Sequence, residues 1–259
     1  MADASPARHI PSMTGSRKGV SLSTSAPQVR LGREMTQREV GIPDEVDRGS
    51  PLFFLSYAHS QTKRDSGVSY ERNRWFVKFF EDLSENVAEL VSRPAGSDPG
   101  YMDQWIAAGR LWTPDLLNAI GTCQVFVALL SPIYIDRDWC GMEWHGFSRR
   151  RVISYPESRA TTETAIIPVT WAPVREQDLP PIVQEVRPFH PRDMPNTNKA
   201  ASYENDGVVG LLRMDETTAY HAVVWRLAQR IAEIHYTHRV KPRVSQVDEL
   251  RNVFKEQQA

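Results

Sequence analysis

Residues 123–130 read CQVFVALL, and this stretch decides the fold class. It carries no charge, is rich in valine with a phenylalanine, and is bounded by Gly121 on one side and Ser131-Pro132 on the other. A short, uninterrupted apolar run between such breaks reads as a strand buried on both faces. Strands of that kind lie in parallel sheets covered by helices on both sides. Working backward, Thr113-Pro114-Asp115 supplies a cap, a proline at the first helical position and an acid in the first turn. These start a helix that runs through Leu116, Leu117 and Ile120. Further back, residues 52–57 (LFFLSY) form a second buried strand. After a polar loop over 58–69, Phe76, Phe79, Phe80, Leu83, Val87, Leu90 and Val91 recur at helical spacing until Arg93-Pro94-Ala95-Gly96. Tyr101-Met102-Asp103 ends a short strand. Working forward, the reading gives a helix over about 138–151 and a strand over 165–169. A proline-containing connection over 171–185 leads to a fifth, short strand over 186–189. The last helix carries Tyr220, Val223, Val224, Leu227, Ile231 and Ile234. Alternation of strand and helix predicts an α/β domain with a parallel sheet of about five strands.

That domain spans 50–240. The 259 residues hold 31 Lys and Arg against 32 Asp and Glu. The resulting net charge of −1 argues against a nucleic-acid binder. No stretch approaches the length of apolar sequence a membrane span needs. Two cysteines, Cys123 and Cys140, are too few for a disulfide framework, which points to a reducing, cytoplasmic setting. Residues 1–49 read as a disordered leader, serine-rich and basic at the start, with no apolar period and no signal peptide. Residues 241–259 read as a tail with a short helix around Val247, Leu250 and Phe254, either docked on the domain or held against a partner.

Ligands of open parallel sheets bind beyond the carboxyl ends of the strands. Here those ends are Ser56-Tyr57-Ala58-His59, Asp103 and Ser131-Pro132. The chain has no G-x-x-x-x-G-K-[ST], no G-x-G-x-x-G and no G-x-S-x-G, so NTP hydrolysis, dinucleotide oxidoreduction and α/β-hydrolase chemistry are disfavoured. Trp139 and Glu143 stand four residues apart on one helix and share a face. By pattern alone Glu143 fits a surface acid of that helix better than an acid aimed into the crevice. Asp103 fits a loop anchor as well as a ligand contact, and Tyr57 fits packing as well as stacking. His235 and His238, with Glu233, suit solvated turns of a terminal helix better than a metal site. Cys140 and His145, five apart on a helix, diverge too far to pair as nucleophile and base. Arg149-Arg150-Arg151 reads as a solvated helix end.

Taken together, PLFFLSYAHS, YMDQWIAAGRLWTPDLLNAI and VFVALLSPIYIDRDWCGMEW resemble a TIR domain. The shared features are a strand ending in Ser-Tyr, an aromatic-x-Asp before a Gly-containing loop, and a strand ending in Ser-Pro. Asp138-Trp139-Cys140-x-x-Glu143 then comes at the family's spacing. PAGSDPGYMDQ, CGMEWHGFSRR and IIPVTWAPV are similar to the actinobacterial TIR-like FxsC proteins that accompany FxSxx-COOH peptide clusters. The resemblance implies a flavodoxin-like fold and one of two activities. One is cleavage of the nicotinamide–ribose bond of NAD, with Glu143 as catalytic carboxylate, Ser56, Tyr57, Asp103 and Trp139 lining the site, and NAD as substrate rather than cofactor. The other is non-catalytic assembly with other TIR domains, with itself or with peptide-cluster proteins, in signalling or peptide maturation. Ala107-Ala108-Gly109 stands where many signalling TIR domains carry a proline.

Overall fold

The computed structural model describes residues 50–58, 68–94, 96–103, 112–154, 164–191 and 197–255. The leader, the loop over 59–67 with His59, and the loop over 104–111 lie outside the described residues.

Four parallel strands make the sheet, in the order β2-β1-β3-β5: β1 is Phe53–Ser56, β2 Gly100–Tyr101, β3 Val125–Leu130 and β5 Ile166–Thr170. β1 and β3 are buried along their whole length, as their unbroken apolar sequences require. Their register pairs Phe53 with Val125 and Ser56 with Ala128. The period of two assigns side chains to opposite faces. The Phe53 ring meets Phe80 of helix α1 (Val68–Leu90). Phe54 instead stacks on Phe126, which in turn meets Trp144 and Phe147 of helix α4 (Asp138–Ser148). α1 and α4 therefore cover opposite faces, and the core fills the space on both sides.

Helix α2 (Pro114–Thr122) starts as its sequence requires: the Thr113 hydroxyl accepts from the Leu116 amide at 3.2 Å, with Pro114 at the first position. The same device recurs at Ser131-Pro132. Ser131 accepts from the Tyr134 amide at 3.1 Å and opens the one-turn helix α3 (Pro132–Asp136). The sequence does not foretell α3, because Ser-Pro after a strand reads equally as a break.

The expected fifth strand over 186–189 does not form. A short helix α5 (Pro181–Gln184) precedes it, and only the Phe189 amide reaches the sheet, donating to the Pro168 carbonyl at 2.7 Å. Pro168, inside β5, offers no amide on that edge to return the bond, so the ladder does not propagate. The next edge group, the Thr170 amide, is taken by the Tyr203 hydroxyl at 3.0 Å. Tyr203 lies on helix α6 (Thr197–Arg213), whose polar first half and internal Gly207 hide its period in the sequence. The final helix α7 (Thr217–Thr237) packs beside α1, where the Tyr220 hydroxyl meets the Asp82 carboxylate at 2.5 Å.

A second, two-stranded antiparallel sheet joins β4 (Val152–Ser154) to β6 (His238–Val240). The sequence does not foretell this sheet either, since neither segment is a continuous apolar run. Arg150 reads from sequence as a solvated residue but is only 5% exposed. Its guanidinium donates to the carbonyls of Ile120, Cys123, Val240 and Lys241, at 2.6 to 3.3 Å. The fork geometry of arginine suits such a convergence of acceptors.

The tail docks on the domain. Its helical turn, Val247–Glu249, is 3-10, and Phe254 is 1% exposed between the rings of Tyr134 and Trp144. Among the described residues no helix is long and apolar enough to cross a membrane.

Candidate functional site

The site is assembled at the carboxyl end of β1. Alternation along that strand turns Ser56 toward α4, as it does Phe54, and turns Tyr57 toward α1. The Ser56 hydroxyl donates to the Glu143 carboxylate, and its oxygen lies 2.8 Å from the Tyr134 hydroxyl. The Tyr57 ring packs on Phe76 at 4.7 Å between centroids, and Phe76 stacks on Trp171. The Tyr57 hydroxyl crosses to donate to the backbone carbonyl of Asp103 at 2.8 Å. Ser56, Tyr57, Asp103 and Glu143 thus converge on one end of the sheet, as the strand-end argument requires.

Glu143 is not a surface acid. It is 3% exposed, because α4 presents this face to the sheet. Burial raises its carboxyl from the ordinary range to about 8; the Ser56 hydrogen bond opposes that rise and the charge of Asp103 adds to it. Burial therefore favours the protonated carboxyl at neutral pH. Burial also pushes the phenols of Tyr57 and Tyr134 up, with Asp103 and then Glu143 adding to the rise of Tyr57. A carboxyl so displaced, at a strand end and beside a second acid, is the pattern expected of a functional acid.

Trp139 stands apart from this hydrogen-bonded set. The Arg137 guanidinium lies over its ring at 5.4 Å from the centroid, and the indole packs partly buried against the core. Among the described residues its Nε1 is buried without a hydrogen-bond partner. Cys140 is buried, with its thiol 3.8 Å from the Tyr57 carbonyl, and burial pushes that thiol up, so it is a packing group and not a thiolate. His145 accepts from the Arg251 amide on the outer side of α4. Among the described residues no group of three or more His, Cys, Asp or Glu could hold a metal ion.

Sequence reasoning missed Tyr134. Its signal was there in a weak form: a tyrosine three residues after the capping Ser131, and so one turn beyond a strand end. Nothing in the sequence says that its hydroxyl points inward at Ser56.

Residues 68–208, more than half of the chain, match the family model of the TIR domain. The match holds β2, β3, α3 and α4 with Asp103, Tyr134, Trp139 and Glu143; β1, with Ser56 and Tyr57, precedes it. No curated protein matches the chain.

Proposed function

Because the chain belongs to the TIR domain family, we propose that it cleaves the nicotinamide–ribose bond of NAD, with Glu143 as the catalytic carboxylate. One observation carries this reading: a buried, displaced carboxyl stands at the carboxyl end of the parallel sheet, bonded by Ser56 and within reach of the charge of Asp103. The chemistry asks little more. The bond between ribose C1′ and the pyridinium nitrogen breaks, and its electron pair returns to nicotinamide, which leaves as a neutral base needing no general acid. Positive charge develops on the ribose, as in glycoside hydrolysis. An ionised Glu143 stabilises that charge. Water then adds at C1′ and releases a proton, giving ADP-ribose. The positive pyridinium favours ionisation of Glu143, so the substrate helps create the charge that acts on it.

In this reading Ser56, Tyr57 and Asp103 border the ribose and nicotinamide, and Trp139, which stands apart from them here, walls the pocket only after a rearrangement. Glu143 is 3% exposed, so these groups must part before substrate meets it. Assembly with a second TIR domain is an event able to part them. The actinobacterial FxsC proteins are the subgroup we favour, on PAGSDPGYMDQ and CGMEWHGFSRR, and a cytoplasmic location accords with the two free cysteines.

The depth of Glu143 also favours a second reading, a non-catalytic adaptor in which the acid only ties α4 to β1. Nicotinamide release from NAD decides between them, measured with the full chain at low and high protein concentration. Release that rises with concentration and falls about 100-fold or more in Glu143→Ala is expected. Absence of release at both concentrations, or release indifferent to Glu143→Ala, leaves the adaptor.

A further inference from the structure

The hydroxyl of Ser56 has one proton, and that proton goes to Glu143. With Glu143 ionised its carboxylate can only accept, so the contact of Ser56 with the Tyr134 hydroxyl, at 2.8 Å, is made the other way: Tyr134 donates to Ser56. The three groups form a directed chain from α3 through β1 to α4. All three are buried, and Tyr134 has no exposed surface. Its ring is seated by Phe254 from the tail, its backbone amide by Ser131.

We propose that Tyr134 is a positioning residue for Glu143: acting through Ser56, it aims the carboxylate and stabilises its ionised form. This rests on Glu143 being the catalytic carboxylate, but the chain of hydrogen bonds can be read without catalysis. The physical reason is polarisation. A hydroxyl that accepts a hydrogen bond becomes a stronger donor, and in a site shut off from water the gain is not shared with solvent. The other groups bearing on the carboxyl are Tyr57 from the end of β1, Tyr101 of β2, Asp103 beyond β2 and Cys140 on its own helix. Removing the Tyr134 hydroxyl alone should weaken the ionised form slightly, and removing Ser56 should weaken it more.

The test titrates Glu143 directly by carbon NMR of the full chain labelled at glutamate carboxyls, with the Glu143 signal identified by its loss in Glu143→Gln. The midpoint is expected to rise by a few tenths of a unit in Tyr134→Phe, the size of a cooperative contribution. It is expected to rise by about one to two units in Ser56→Ala, which removes a bond to a charge. In Ser56→Ala, adding Tyr134→Phe is expected to change nothing further, since the path is already cut. The rising limb of nicotinamide release against pH should move with these midpoints. An unchanged midpoint in Tyr134→Phe overturns the proposal, as does a shift of equal size with and without Ser56. Should Tyr134→Phe fail to fold, 3-fluorotyrosine at position 134, a stronger donor of nearly the same volume, is expected to lower the midpoint; no movement then overturns the proposal. If the chain releases no nicotinamide while the midpoints still move as described, the enzyme reading fails and the positioning chain stands.

Discussion

Glu143 sits in an environment that its residue type ordinarily avoids. Its carboxyl titrates near 8 when folded, well above the ordinary value near 4.5. Below pH 4.5 both the folded and unfolded chains hold this proton, and Glu143 is neutral in the balance. Between about 4.5 and 8 the unfolded chain has released the proton and the folded chain has not, so the folded state loses stability as pH rises. The loss saturates above the folded value and is on the order of a few kcal/mol. Glu143→Gln removes this dependence while keeping the shape and an acceptor for Ser56. The difference in melting temperature, variant minus parent, is expected to grow between pH 5 and pH 8. A difference that stays flat would show that the carboxyl is ionised throughout. A buried acid that costs stability in this way accords with the proposed catalytic role.

At the scale of elements, α4 carries two faces with separate tasks. Glu143 looks inward to β1, while Asp138, Gly141, His145 and Arg149 recur at helical spacing on the outer side. The tail runs along that outer face. Asn252 and Lys255 reach Asp138 at 2.6 and 2.8 Å, the Arg251 amide donates to His145, and Arg149 meets Glu249. A Cβ at Gly141 would displace the end of the Asn252 side chain. A second glycine is fixed by backbone geometry. Gly207 has φ +65° inside α6, and a Cβ would lie 2.7 Å from the Trp171 carbonyl. That kink lets α6 close over the edge of β5, where the Val209 amide donates to the same carbonyl. Gly207→Ala therefore meets strain and a clash together. It is expected to cost about 2 kcal/mol or more in chemical denaturation, against a few tenths for an alanine on an open helix surface.

The whole molecule is closed by its last described residues. β6 pairs with β4, Arg150 draws the end of α2 and β6 toward the end of α4, and Phe254 fills the space between Tyr134 and Trp144. Phe254→Ala empties a site that is 1% exposed, and a loss of about 3–5 kcal/mol is expected from denaturant unfolding. A loss below 1 kcal/mol would mean that the tail is an appendage and not part of the core. Local pattern in the amino-acid sequence was enough to settle the buried strands at 53–56 and 125–130, the helices led by Thr113-Pro114 and Asp138, the long final helix, and the standing of Ser56, Tyr57 and Asp103 at strand ends. Each of these is written within a few residues of itself, as an apolar run, a cap or a turn. Folding in three dimensions was needed to settle the burial of Glu143 and of Arg150, the inward hydroxyl of Tyr134, the failure of 186–189 to join the sheet, and the docking of Phe254. Those outcomes depend on groups distant along the chain, such as Ser56 for Glu143, Val240 for Arg150 and Pro168 for Phe189, and no local pattern records which partner a side chain will find.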